Sequence, residues 1–363
     1  MSVSSSKPGD GPVKVSVKID AAVITTFGAI IGVKELKIEH VATATRHIPN
    51  LEAVLALSSS GTMCSSKTRK ESPLAEVPGD TILALSPLQE CTPFNAMKKG
   101  VEEFVRLAKE NQGVTKFKVG LIPYNFKVKF PLGMPVPHSI ANSESDRAFY
   151  QANAAGQLGG AEPLAPIMPL TSDPTRMSAG VARLEMRTPD GPAWTRTDLP
   201  LQLAGMMLDP SQRHQFPGSD DVKPFNDANV QKIIILMTDG SNLGCCFTNW
   251  SPGNFSHQYI YNYKPYNDET VRICNMLKKQ GNVQIFSILF DVNESDPGGQ
   301  IINNTMARCA SGTYSDPGAN EDNPSANLRC KSKQNCYNVT NADQVIRVYR
   351  DIAQNFYAPK LTK

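Results

Sequence analysis

Two stretches near the start of the chain alternate apolar and polar residues. The first runs from Val13 to Ile19 and the second from Leu36 to His40. Because successive side chains of a strand point to opposite faces, this period of two predicts half-buried strands. Residues 25–31 between them favour one or two helical turns. We therefore predict a strand–helix–strand segment over residues 1–48, separated by Pro49 from the rest of the chain.

After Pro49 the apolar runs are longer and alternate with helical patterns. Continuous apolar runs predict buried strands at 51–57, 116–123, 232–238 and 283–290, with 126–130 as the hairpin partner of 116–123. Apolar positions three and four residues apart predict helices at 93–107, 199–207, 268–280 and 342–356. Strands that alternate with helices in this way predict a largely parallel α/β sheet.

Residues 132–193 have a different composition. They are rich in proline, glycine, serine and alanine and show weak periodicity, which predicts a long irregular insertion. We therefore predict one α/β domain over residues 49–358 that contains this insertion, followed by a short tail at 359–363.

Polar side chains cluster next to the ends of the predicted strands and at the start of one helix. The candidate site residues are Ser58, Ser60, Thr62, Thr197 and Asp239. Because buried parallel strands present their carboxyl ends at one edge of a sheet, these oxygen-bearing groups are expected to converge there. Hydroxyl and carboxylate oxygens are hard ligands, so the predicted site suits a divalent cation such as Mg²⁺, Mn²⁺ or Ca²⁺. The alternative to a cation site is that these side chains only cap helices and form turns. This alternative explains residues 58–60 taken alone, but it explains the five candidate residues together poorly.

Composition and charge narrow the classes of function. Of 363 residues, 40% are hydrophobic and 20% charged, as in soluble globular proteins. A net charge of +3 without a lysine- and arginine-rich block argues against nucleic-acid binding. The chain has no phosphate-binding glycine loop, no nucleophile elbow and no His-Glu-x-x-His motif, so we expect that it is not an enzyme.

Eight cysteines without paired Cys-x-x-Cys motifs favour disulfides in an oxidising compartment over a structural zinc site. For Cys91 and Cys274, the alternative to disulfide bonding is that they are unbonded cysteines that fill the core as small apolar residues. The first residues resemble neither a signal peptide nor a membrane span, and the apolar stretch 21–33 is too short to cross a bilayer. A missing upstream segment would reconcile these observations with export.

The strand-end residues resemble the metal-ion-dependent adhesion site of von Willebrand factor A domains, whose motif is Asp-x-Ser-x-Ser, then Thr, then Asp. This resemblance implies that Ser60, Thr62 and Thr197 ligate the ion directly, and that Asp239 holds it through water. Ser58 stands where the family has its first aspartate. The implied fold is a three-layer α/β domain with helices on both faces of the sheet. It places 51–57 and 232–238 side by side in the centre of the sheet.

A narrower resemblance is to TadE/TadG-like proteins of tight-adherence (Flp) pilus assembly. It rests on the order of short phrases at 50–57, 61–64, 197–200, 309–311 and 361–363, and on the segment before the domain. It implies a non-enzymatic protein that assists assembly or anchoring of the pilus by binding other pilus or envelope proteins. The implied location is the bacterial cell envelope, on the periplasmic or extracellular side of the inner membrane. Membrane attachment is expected only through an N-terminal anchor that this chain lacks.

Two further expectations come from the implied fold. The alternative function is a metal-dependent adhesin-like module, in which an acidic residue of the ligand completes the coordination of the ion.

Neighbouring helices on one face of the sheet are also expected to bring cysteines together. We predict disulfides Cys274–Cys309, Cys330–Cys336 and Cys64–Cys91.

Overall fold

The computed structural model describes the chain in a series of ranges, and these form two β-sheets. The described residues are 2–5, 13–24, 31–32, 35–46, 49–60, 63, 92–111, 116–125, 127–131, 134, 165–185, 195–240, 264–315 and 327–357. The proposed helical turns over 25–31 and the Cys64–Cys91 pair lie wholly or largely outside them. None of the described helices is long and apolar enough to span a membrane.

The smaller sheet is antiparallel and precedes the main domain. Its strands are β1 (Ser2–Ser5), β2 (Val13–Ile24) and β3 (Glu35–Arg46), in the order β1-β2-β3. The two strands predicted from alternation are confirmed, and both are longer than expected. Strand β1 was not predicted because its four residues are too few to show a period.

The larger sheet has the order β6-β5-β4-β7-β8-β9 and is parallel except for β6, which runs antiparallel to β5. Its strands are β4 (Asn50–Ser58), β5 (Phe117–Tyr124), β6 (Met168–Thr171), β7 (Val230–Thr238), β8 (Val283–Phe290) and β9 (Cys336–Val339). The predicted central pairing is confirmed, since β4 and β7 are hydrogen-bonded neighbours. Both are almost wholly buried because helices cover both faces of the sheet.

In the part of the chain that the structure describes, six helices pack against this sheet. They are α1 (Thr92–Glu110), α2 (Pro174–Ala182), α3 (Asp198–Met207), α4 (Lys264–Lys279), α5 (Pro297–Cys309) and α6 (Ala342–Tyr357) among the described residues, with 3₁₀ turns at Pro210–Gln215 and Cys330–Ser332. In β4, Val54 and Ala56 face the core shared with α3, α4 and α5. Their neighbours Leu55 and Leu57 face the core shared with α1, α2 and α6. The predicted three-layer α/β fold is therefore confirmed.

The predicted hairpin partner of β5 at 126–130 is confirmed at a single position only, and it is not the strand that extends the sheet. The only described pairing of this segment with β5 is an isolated bridge between Tyr124 and Val128, and β6 is the strand that pairs with β5. Asn125 makes the tight turn that brings Val128 back to Tyr124. Its N–H donates to the Lys127 carbonyl at 3.0 Å and its side-chain oxygen accepts the Lys127 N–H at 2.8 Å.

The predicted irregular insertion contains regular structure at 165–185, where strand β6 leads into helix α2. The helix begins at the N-cap residue Asp173, which was not recognised in a segment rich in proline, glycine, serine and alanine. The Asp173 carboxylate accepts the backbone N–H groups of Thr175 and Arg176, and Pro174 occupies the first turn. Helix α5 was also missed, and it begins in the same way at Asp296 and Pro297.

Two of the three predicted disulfides are confirmed. Cys274 of α4 and Cys309 of α5 are bonded with a Cα separation of 5.0 Å, because these helices pack side by side on one face of the sheet. Cys330 and Cys336 are bonded across the short turn before β9, with a Cα separation of 4.6 Å.

Candidate functional site

Three of the predicted site residues meet at the carboxyl edge of the main sheet. Strands β4 and β7 end side by side, so the loop after β4 lies against Asp239, which follows β7. The Ser58 and Ser60 hydroxyl oxygens are 3.1 Å apart, and the Ser60 hydroxyl donates to Asp239 Oδ1 at 3.4 Å. Ser58 and Ser60 are buried, whereas Asp239 is partly exposed. The structure thus places one accessible carboxylate beside two buried hydroxyls.

Thr197 lies at the N-cap of α3, in a loop joined to the end of β5. The preceding Arg196 N–H donates to the Asn125 carbonyl at 3.0 Å. The Thr197 hydroxyl is 2.9 Å from the Thr270 hydroxyl of α4, which itself donates to the Tyr266 carbonyl at 2.7 Å. Since a hydroxyl carries one proton, Thr197 donates to Thr270, and its oxygen keeps acceptor capacity. Thr62 lies outside the described residues.

Tyr124, which no sequence motif marks as a site residue, ties the three strand ends together. Its carbonyl accepts both the N–H of Ser59 at 2.6 Å and the Ser59 hydroxyl at 3.1 Å. Its phenol reaches across the end of β4 and donates to the Met237 carbonyl at 2.9 Å. Complete burial raises the pKa of the Tyr124 phenol well above its ordinary value, so it remains a neutral donor. This side chain therefore helps to hold the site loops in position.

A buried ion pair flanks Thr197 in the same loop. The Arg196 guanidinium makes a two-pronged bond to the Asp198 carboxylate, at 3.0 and 2.7 Å, and both side chains are nearly inaccessible. The guanidinium also lies over the Tyr266 ring, 4.8 Å from its centroid. Since the two charges cancel, the negative charge next to the serines comes from Asp239. In the sequence, this pair is visible only as an arginine and an aspartate two residues apart. Exposed pairs show the same spacing, so the sequence did not reveal that Arg196 and Asp198 are buried.

The donor set fits a small hard cation in its chemistry and spacing. Octahedral Mg²⁺ at about 2.1 Å from its ligands places neighbouring oxygens about 3 Å apart. The spacings here are 3.1 Å for Ser58–Ser60 and 3.4 Å for Ser60–Asp239. Among the described residues, no three His, Cys, Asp or Glu side chains form a metal-binding group. A cation at this site would therefore be held mainly by hydroxyls, with one carboxylate.

No protein-family model matches the sequence, and no curated protein matches it. Several solved structures are similar in fold. The pilus adhesin SpaC from Lactobacillus rhamnosus GG, in its open conformation, has 15% identity and a TM-score of 0.49 over 97% of this chain and 35% of that chain. The vWF domain of the type V pili tip protein Mfa5 from Porphyromonas gingivalis has 10% identity and a TM-score of 0.45, over 87% and 99%. The PilB minor pilin from Streptococcus sanguinis has 12% identity and a TM-score of 0.41, over 97% and 76%.

This chain spans about a third of the length of SpaC, as the 35% coverage indicates. The similar structures include von Willebrand factor A domains and pilus proteins. With TM-scores below 0.5 and such low identities, the likeness concerns the fold and carries no conclusion about activity or partners.

Proposed function

We propose that this chain is a non-enzymatic, protein-binding component of a bacterial cell envelope that assists assembly or anchoring of a tight-adherence pilus. The observation that carries the proposal is the convergence of Ser58, Ser60 and Asp239 at the carboxyl edge of the main sheet. Two of the phrases in which the sequence resembles TadE/TadG-like proteins, 50–57 and 197–200, lie next to this edge. In an open α/β sheet, ligands bind outside the carboxyl ends of the strands. We assign the binding of other pilus or envelope proteins to this edge.

The two disulfides support the location. Disulfides persist in oxidising compartments such as the bacterial periplasm and the cell surface. Cys274–Cys309 joins two helices of the domain core, so the bond belongs to the folded state of the domain. This agrees with a domain on the periplasmic or extracellular side of the inner membrane.

The test compares surface pili in the producing bacterium after replacement of the chromosomal copy. We expect Ser60→Ala and Asp239→Asn to reduce the amount of pilus recovered by shearing, at equal levels of the variant protein. Asp351→Asn, on the exposed side of α6, serves as the matched charge control and should leave pili unchanged. Normal piliation in both site variants would contradict the proposed role of this edge.

The second candidate is a metal-dependent adhesin-like module, favoured by the spacing of the site oxygens. Ser58, Ser60, Thr62, Thr197 and Asp239 would hold Mg²⁺, Mn²⁺ or Ca²⁺. When bound, the ion would supply an open position for an acidic residue of the ligand. The chain's own residues orient the donors, since Tyr124 and Thr270 fix the loops that carry them.

This candidate is tested by calorimetric titration of Mg²⁺ and Mn²⁺. Losing an outer-shell carboxylate typically weakens a metal site by roughly 10–100-fold, so Ser58→Asp should tighten binding by about that factor. Asp239→Asn should remove the binding in either background. If neither the natural chain nor Ser58→Asp binds metal, the metal-dependent candidate is wrong, and the metal-independent protein-binding proposal stands on the pilus experiment.

A further inference from the structure

The outer edge of the small sheet is long, regular and open. Strand β3 pairs with β2 through twelve consecutive residues without a register shift. It has neither proline nor glycine, and no described residue pairs with its other edge. Soluble proteins usually shorten, bulge or cover such an edge because its unpaired N–H and C=O groups accept another strand. An edge of this length therefore needs an explanation.

Among the described residues, the charges along this edge are not balanced. Glu39 of β3 lies directly opposite Asp20 of β2, and the Lys18 ammonium contacts both carboxylates. The bond to Glu39 raises the pKa of Lys18, as expected for an ammonium shared by two carboxylates. On the same face of β3, Lys37 has no ion-pair partner among the described residues. Asp20 and Glu39 thus share a single lysine, whereas Lys37, two residues from Glu39, contacts no carboxylate among the described residues.

The opposite face of β3 is apolar and accessible. Leu36 and Ile38 are 51% and 46% exposed, and Ile19 and Val23 of β2 are on the same face of the sheet. Side chains directly opposite each other on adjacent strands lie about 4.5–5.5 Å apart and stabilise the pairing. A second strand along the open edge would therefore gain apolar contacts on one face and ionic contacts on the other.

We propose that two copies of this chain associate by antiparallel pairing of β3 with β3, about a two-fold axis at Ile38. In this register each Lys37 lies opposite Glu39 of the other copy, which supplies the missing charge partner twice. On the apolar face, Ile38 meets its own counterpart and Leu36 meets His40. The two-fold symmetry makes both halves of the interface identical.

Other registers of the same two strands oppose like charges or pair fewer residues. An axis at Leu36 also places Lys37 opposite a carboxylate, that of Glu35, but it pairs only residues 35–37 of each strand. An axis at Lys37 would place the two Lys37 ammonium groups opposite each other, and Glu35 opposite Glu39. Directly opposed like charges destabilise a strand pair. A parallel in-register pairing would repeat each charge against itself. The register about Ile38 is therefore the longest antiparallel pairing of β3 with itself that places Lys37 opposite a carboxylate.

The proposal is tested with the full chain by light scattering after size exclusion and by sedimentation velocity. We expect a concentration-dependent dimer that weakens with added salt. Lys37→Glu should weaken the dimer by about tenfold or more, because it replaces two attractive cross-strand pairs with two repulsive ones. Glu35→Lys is the matched control, since its partner in this register is the uncharged Val41, and it should leave the dimer largely unchanged.

Mixing two variants makes the test independent of folding defects. Lys37→Glu and Glu39→Lys should each dimerise poorly alone, whereas an equimolar mixture should form a heterodimer in which every cross-strand pair is attractive. Lys37→Glu breaks no ion pair within the described part of the chain, so its own weakening reports on association. A natural chain that stays monomeric at all concentrations, or a mixture that stays monomeric, would overturn the proposal. The pilus experiment concerns the other sheet, so the two proposals can fail separately.

Discussion

The most demanding test of the physical picture is the removal of a carboxylate buried at the amino end of the main sheet. Glu52 of β4 is paired in register with Lys118 of β5 and Lys232 of β7, so the three charges form a row across the central strands. The Lys232 side chain is 0% exposed and Glu52 is 2% exposed. The Lys232 ammonium donates to Glu52 and, at 2.9 Å, to the Leu208 carbonyl.

Glu52→Gln would leave the Lys232 charge buried without its counter-charge. Removing one member of a buried ion pair typically costs about 3–5 kcal/mol, and we expect a loss of this size in the free energy of unfolding. Lys118 is partly exposed and also bonds the Asp221 carbonyl, so it adds less to the loss. Replacing both buried partners, in Glu52→Gln with Lys232→Met, removes the uncompensated charge and should restore much of the stability.

Urea unfolding of the natural chain, both single variants and the double variant measures the coupling. A pH series adds a second signature, because burial lowers the pKa of Lys232 from its ordinary value of 10.5. Between that lowered value and 10.5 the unfolded chain binds more protons, so stability attributable to Lys232 rises with pH. In Glu52→Gln the pKa falls further, and the loss should shrink as the pH approaches about 10. Strictly additive single losses, or a Glu52→Gln loss below about 1 kcal/mol, would refute this reasoning.

Three further predictions concern packing, covalent structure and acid stability. Gly100→Ala should lower the free energy of unfolding by about 1–3 kcal/mol in a denaturation experiment, because its Cβ would lie 2.4 Å from the buried Tyr349 ring. Serine at both Cys274 and Cys309 opens a 35-residue loop and should cost about 4 kcal/mol, with peptide mapping of the natural chain confirming the bond. Arg106 and Arg350 lower the pKa of Glu103 from 4.5 to about 2. The ionised Glu103 carboxylate therefore stabilises the fold above pH 4.5, and this stabilisation is lost as the pH falls toward 2. Glu103→Gln should lower the free energy of unfolding by about 1 kcal/mol at neutral pH but should leave it unchanged at pH 2.

Much of the fold was predictable because burial leaves a strong local pattern. Strands covered on both faces are continuous apolar runs, so β4, β7 and β8 were located within about two residues of their observed bounds. The elements that were missed, β1, β6, α2, α5 and β9, are short or carry many polar and small residues. For the two helices, the remaining signal was an aspartate followed by proline at the start.

The core of the candidate site was also predictable, since neighbouring parallel strands must end at one edge. Ser58 and Ser60 follow one central strand and Asp239 follows the other, and the family resemblance implied that these two strands are neighbours. The groups that fix this arrangement were not predictable. Tyr124 is 65 residues from Ser59, and Thr270 is 73 residues from Thr197. Local periodicity carries no information about contacts between residues so far apart.

Local hydrophobic pattern was sufficient for the layered α/β architecture and for the oxygen-bearing residues at the strand ends, and the family resemblance supplied the central strand pair. Other features exist only in the folded chain. Glu52 lies inside an apolar run and Lys232 begins another, and strand register alone places them opposite each other as a buried pair. Likewise, Lys37 and Glu39 are ordinary alternating charges until the sheet order leaves β3 at an open edge. Register and edge position arise from long-range pairing, which residue pattern alone does not specify.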